Sequence, residues 1–361
     1  MSWALAFAGF AVLIILHEFG HFAAAKAVGM RVEKFYLFFP PAIAKIRRGE
    51  TEYGIGAIPL GGFVKITGMN PDEELPPEVA PRAYYHQPVW KRIVVIGAGP
   101  AVNLLIAFVI LFFLAFDFAE QTTEVGIVES GSPAAGKIKP GDTIVAVDGE
   151  SITGSPEQRF EAVRAAVAEH ECAGEPADGC RTETPAAITV ERDGSEKKLS
   201  VTPFYDAAAG RYRIGFAQGQ RPLDPSIPEA AREAGDVMWQ VTSGTVTTIA
   251  NIFDPETREQ ISGVVGSYEV TRQSIEFSTQ RALFLLAVIS LSLAVINLFP
   301  FLPLDGGHIF WSLVEKLRGK PVPFSVMERA SVVGFALVAV LFVIGFTNDI
   351  GRLTGEGFEV R

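Results

Sequence analysis

The stretch AVLIILHEFGH, residues 11–21, decides how this chain is to be read. Six apolar residues run directly into His17-Glu18-Phe19-Gly20-His21. On a helix, side chains four positions apart lie one turn apart on the same face, so both imidazoles reach a single metal ion. Glu18, beside them, is placed to take a proton from water at that ion. On a polar surface this five-residue pattern carries little information. Inside an apolar helix it carries more, because an ionisable side chain there costs roughly 2.5–3.5 kcal/mol on insertion scales and is functional by default. Structural zinc contributes about 10–16 kcal/mol in peptides, enough to offset three such groups. Trp3 to His17 spans about 21 Å of helix at 1.5 Å per residue, which puts the motif within hydrocarbon, nearer the end of the helix than its start.

The run that contains the motif covers residues 3–28, and three uncharged runs follow at 93–116, 282–299 and 330–346. A helix needs about 20 apolar residues to cross roughly 30 Å of hydrocarbon. The first two runs are long enough, and the last two reach that length with their flanks. The alternative, four buried helices of a soluble protein, is hard to reconcile with so many uncharged runs in 361 residues. A hydrophobic share of 48% and a mean hydropathy of +0.27 point the same way. The first run lacks a basic leader and a small-residue cleavage site, so it does not read as a signal peptide. The reading is a polytopic α-helical membrane protein with spans at 3–29, 90–118, 282–299 and 330–347.

A net charge of −10 argues against nucleic acid as a partner. Local charge orients the chain. Arg31, Lys34, Lys45, Arg47, Arg48, Lys65, Lys91 and Arg92 lie between the first two runs, and Lys316, Arg318, Lys320 and Arg329 between the last two. Basic residues collect on the cytoplasmic side, so both termini and the long segment between spans two and three are expected outside. Cys172 and Cys180 fall in that segment. An oxidising compartment permits a disulfide between them, and two free thiols remain equally open.

Residues 32–66 read as β-rich, with a hairpin turn at Arg47-Arg48-Gly49-Glu50. Residues 70–81 read as an exposed Pro- and acid-rich loop. Residues 122–205 form a compact soluble module: strands at 125–128, 143–147, 186–192 and 196–202, with a helix over 157–169. Residues 206–281 read as a linker with amphipathic helices. The membrane part is thus divided into 1–121 and 282–361.

A catalytic zinc needs a third protein ligand and an open position. Asp305 is the only acid between Arg281 and Glu315, and it follows a bend containing Pro300 and Pro303, which cannot sustain a regular helix. His308 is a rival, and an N-cap role for Asp305 is compatible with ligation. Asn297, one turn before the bend, is either a substrate contact or helix glue. Asn103, near Pro100, reads as packing.

The paired motifs resemble the site-2 protease family of intramembrane zinc metalloproteases, and most closely the bacterial regulator of sigma-E protease group. His17-Glu18-x-x-His21 in the first span and Asn297-x-x-Pro300-x-x-Pro303-x-Asp305-Gly306 after the third carry the resemblance. Gly99-Pro100 with Asn103 fits as well. The resemblance implies one Zn2+ per chain on His17, His21 and Asp305, with Glu18 as the catalytic base. It implies a membrane-associated β-hairpin around 51–66, so that Gly54 and Gly56, with Asn297, Pro300 and Pro303, would meet substrate. It implies that 122–205 is an extracytoplasmic PDZ-like α+β domain able to bind protein tails, where family members often carry two. It implies substrates with one membrane span, anti-sigma factors among them, cut in the inner membrane of a bacterial cell. Two other classes fit the sequence: a non-catalytic PDZ membrane scaffold, and a membrane-bound zinc peptidase acting on surface peptides. A metal transporter is a weaker fit, because the candidate ligands form one cluster.

Overall fold

The computed structural model describes residues 2–70, 73–117, 119–252 and 254–355. Pro71 and Asp72 of the expected acidic loop, Phe118 at the expected end of the second span, and the tail 356–361 lie outside the described residues. The chain forms two compact units: Met1–Ala115 with Pro225–Arg361, and Phe116–Asp224.

In the first unit, α1 (Ser2–Ala27) carries the apolar run and the motif. Gly29, at φ 84°, turns the chain in a conformation that costs glycine little. A long hairpin follows, β1 (Val32–Arg48) and β2 (Thr51–Ile66). Ala44–Arg48 pairs with Thr51–Ile55 across the turn at Gly49. Lys34–Leu37 pairs with Glu52–Ile55 on one side and with Gly62–Lys65 on the other. The hairpin is therefore folded into a sheet in which Gly62–Lys65 is an outer segment. Glu50 ties its turn down by accepting from Lys26 and Arg82. Those two cations hold its carboxyl near about 2.

α2 (Val89–Leu114) begins after Pro88 and continues through Pro100. Proline lacks an amide proton and leaves a carbonyl of the preceding turn without its usual donor. α2 packs on α1 through glycine: a Cβ on Gly20 would fall 2.5 Å from Ala98 O.

The second unit begins with β3 (Ala119–Val128), then β4 (Thr143–Val147), β5 (Glu150–Ser151) and α3 (Pro156–Ala168). It continues with β6 (Ala186–Arg192), β7 (Ser195–Val201), β8 (Phe204–Asp206), β9 (Arg211–Arg213) and β10 (Phe216–Pro222). The main sheet runs β10-β3-β4-β6-β7. Alternate residues of its strands, Ile188, Val190 and Val201 among them, bury against Val163 and Val167 of α3. Ser155 and Gln158 close a capping box at the start of α3. This unit is wider than the expected module at 122–205, because β10 pairs with β3. Residues 206–224 thus belong to this unit, with Phe216–Pro222 as a strand of the main sheet and Arg211–Arg213 paired with β8. Cys172 and Cys180 are joined in a disulfide, with Cα atoms 6.4 Å apart.

Asp142, 1% exposed, accepts from Arg192 and from the Lys139 amide. Burial alone would raise its carboxyl, but these bonds outweigh it and hold the group below the usual range. A depressed carboxylate stabilises the fold at neutral pH, and that contribution disappears as acid protonates it, below about pH 4. Asp142→Asn removes the charge that pairs with Arg192, which keeps its bond to the Lys137 carbonyl, so this unit should lose stability at neutral pH. Hydrogen exchange at β4 and β6 reads that loss, which should shrink in acid.

Back in the first unit, α4 (Ile227–Ala250) is not a free linker helix: Ala234, Met238 and Val241 pack on Leu104 and Leu111 of α2. α5 (Pro255–Gln260) and α6 (Val264–Phe277) lead into α7 (Thr279–Asn297). After the proline bend come α8 (Asp305–Arg318) and α9 (Phe324–Thr354). Among the described residues, α1, α2, α7 and the Ser325–Thr354 part of α9 are long and apolar enough to cross a membrane. The last turns Val332, Phe335 and Val343 outward, each about 60% exposed or more. Such an apolar surface asks for lipid rather than water.

Candidate metal centre

α1 points His17 and His21 from one face, as the four-residue spacing requires, and both rings are 7% exposed. Their Nε2 atoms are 3.3 Å apart. Asp305, the first residue of α8, brings Oδ2 to 3.4 Å from His17 Nε2 and 3.3 Å from His21 Nε2. These three edges form a nearly regular triangle. Two ligands about 2.0–2.1 Å from a tetrahedral zinc are separated by about 3.3–3.4 Å, so the donor set fits zinc with a fourth position left over. Asp305 Oδ2 is buried and receives no hydrogen bond, as a free ligand oxygen should be.

α2 sets the ring of His21. Val95 O, a carbonyl, lies 2.9 Å from His21 Nδ1, so Nδ1 carries the proton and Nε2 keeps its lone pair for a metal. One turn further on, Gly99 makes room for that ring, since a Cβ there would lie 2.2 Å from His21 Nε2. The bend brings α8 in equally tightly. A Cβ on Gly306 would sit 2.1 Å from Leu298 O, and one on Gly307 2.5 Å from Leu302 N. Any larger residue would push Asp305 away from the histidines.

A family model described as peptidase family M50 matches residues 5–341. The chain belongs to that family. As an M50 peptidase it is a metalloendopeptidase with zinc as its cofactor, and a multi-pass membrane protein. It is 31% identical over 370 residues to a candidate zinc metalloprotease of Nostoc sp., covering 99% of this chain and 98% of the relative. A second such protein, from Synechocystis sp., is 32% identical over 359 residues, covering 95% and 93%. Zinc metalloprotease Rip1 of Mycobacterium tuberculosis is 30% identical over 406 residues, covering 94% of each chain.

In this M50 peptidase the remaining candidate residues fall as follows. His308, the rival ligand, lies outside the set of three that converge. Asn297 ends α7, half-buried, while Pro300 and Pro303 are exposed in the bend. Asn103 is fully buried; its backbone carbonyl accepts from Ser290 of α7, and its side-chain amide has no hydrogen-bond partner among the described residues. Gly54 and Gly56 use their missing Cβ against β1: one on Gly56 would lie 2.1 Å from Phe39 O.

The hairpin glycine that reaches the motif on α1 is Gly62. A Cβ there would fall 2.1 Å from Glu18 Cγ and 3.1 Å from its Oε1. The Gly61-Gly62 pair is visible in the sequence as a chain break, but nothing in it says which side chain fills the gap. Gly62→Ala should displace Glu18 and reduce hydrolysis at least tenfold while zinc content stays at one per chain. Turnover and metal analysis on the same preparation check this.

Proposed function

We propose that this chain hydrolyses peptide bonds within or near transmembrane segments of other membrane proteins, with His17, His21 and Asp305 as zinc ligands and Glu18 as general base. The nearly regular triangle of donor atoms, two of them on the apolar helix α1, is the observation that carries the proposal. Zinc supplies a Lewis acid that acidifies water and polarises the scissile carbonyl. Glu18 takes the proton of the attacking water and passes it to the departing amine. Val95 orients His21, and Gly306 and Gly307 let α8 approach closely enough to bring Asp305 to both histidines.

A helical substrate hides its carbonyls in hydrogen bonds and must unwind to be cut. Gly62–Lys65 has Lys34–Leu37 as its ladder partner among the described residues, which leaves its other edge for an added strand. A substrate strand laid there passes Glu18 at Gly62. Asn297, Pro300 and Pro303 border the same bend, and are proposed as substrate contacts.

The basic loops between spans support a bacterial inner-membrane location with both termini and Phe116–Asp224 extracytoplasmic. That unit is proposed to be PDZ-like, with a groove between α3 and the β3–β10 edge lined by Arg159, Phe160, Val163, Phe216 and Gln218 as the place for a protein tail. Single-span membrane proteins, anti-sigma factors among them, are the proposed substrates. Purified protein in lipid nanodiscs with a single-span substrate tests the reading. Mass spectrometry should locate a cut inside the span that a chelator stops and zinc restores. Cleavage confined to soluble peptides would instead support a surface peptidase.

A further inference from the structure

Arg92 is one of the basic residues that orient the chain, yet it does not lie in solvent. Its side chain is 3% exposed on α2, and it binds Glu315 of α8 through two parallel bonds, Nη2 to Oε1 at 2.6 Å and Nη1 to Oε2 at 2.9 Å. Tyr84 and Tyr85 flank the guanidinium, at 6.0 and 5.5 Å from their ring centres. A cation placed merely to mark the cytoplasmic face needs neither a bidentate partner nor an aromatic cage.

The position of the pair matters. Arg92 stands one turn before Val95, whose carbonyl orients His21, and two turns before Gly99, which accommodates the His21 ring. Glu315 stands on the helix that begins with Asp305. The bend between α7 and α8, irregular at Pro300 and Pro303, packs closely on Gly306 and Gly307 at the start of α8, and the Arg92–Glu315 fork adds a second hold about three turns further along. Asp305, Ile309, Ser312 and Glu315 succeed one another at steps of four, three and three, a stripe on one side of α8. Ile309 of that stripe packs against the buried cluster that contains Val95 and Ile96 of α2. Rotation of α8 would carry Asp305 out of the triangle, and the Arg92–Glu315 fork opposes it.

We propose that Arg92 and Glu315 are positioning residues for the metal centre: they lock α8 against the segment of α2 that orients His21, so that Asp305 and His21 stay in register. The inference rests on Asp305 being a ligand. A fork of this kind is geometric, so its worth lies in direction and not only in charge.

The test is zinc affinity of the purified full-length chain, measured with zinc alone against a competing chelator, alongside melting of the metal-free protein. Outer partners of metal ligands typically change affinity about 10–100-fold. Glu315→Gln and Arg92→Lys should each lower zinc affinity by about tenfold or more, and alter the visible spectrum of the cobalt-loaded protein. The reversed pair, Arg92→Glu with Glu315→Arg, should recover most of the loss. Glu315→Gln preserves volume and carries the test if bulkier changes prevent folding. Asp305→Asn is measured in parallel. If it loses zinc while the fork variants stay within twofold of the parent, the positioning role is overturned and the ligand stands. A lower melting temperature with unchanged zinc affinity overturns it in the same way. If Asp305→Asn itself retains zinc, the ligand assignment fails, and the inference with it.

Discussion

Glu18→Gln should lower hydrolysis of a membrane substrate by about 10²–10⁴-fold, the range that a positioned general base contributes, and leave one zinc per chain in place. The two consequences separate because Glu18 is not among the three converging donors. Its carboxylate lies against Gly62, at the sheet edge where substrate is proposed to lie. Gln keeps the size of Glu and fills the same space, so a fall in rate reports lost basicity and not a collapsed site. Turnover of one single-span substrate by parent and variant, with zinc quantified on both, reads the result. A variant that cuts at the parental rate would remove Glu18 from the chemistry.

The second large effect belongs to Asp305. Asp305→Asn replaces an anionic donor with a neutral amide that binds zinc poorly, at the one proposed ligand brought from outside α1. Zinc content after dialysis should fall well below one per chain, and activity should fall with it. Adding excess zinc should restore part of the activity, since both histidines remain and His21 is still held by Val95. His17→Ala should show the same loss. A full zinc complement in Asp305→Asn, with activity intact, would direct attention to His308. That residue lies three positions along the same helix and shares no edge of the triangle.

Much of this was legible in the sequence, for identifiable reasons. The motif in α1 is local, so spacing and apolar context suffice to place two candidate ligands on one face. The four apolar runs depend on length and composition, and each coincides with a helix in the structure, longer than expected at α9. Asp305 could be singled out because acids are so sparse around it. What escaped notice depends on contacts between distant segments. Gly62 meets Glu18 only when the hairpin folds back on α1. Arg92 and Glu315 are 223 positions apart, and in the sequence Arg92 is one basic residue among several. Gly210, Gly215 and Gly219 interrupt 206–224, so it looks like a connector until β10 is seen pairing with β3. The cysteines were undecided because spacing alone does not distinguish a closed loop from two thiols.

The central claim is that three side chains from two distant helices share one zinc ion. Anomalous diffraction at the zinc edge, from crystals of the zinc-loaded protein, measures this directly. A single peak is expected within about 2.0–2.2 Å of His17 Nε2, His21 Nε2 and an Asp305 carboxylate oxygen. A peak bound by other residues, or one that leaves Asp305 uncoordinated, would contradict it.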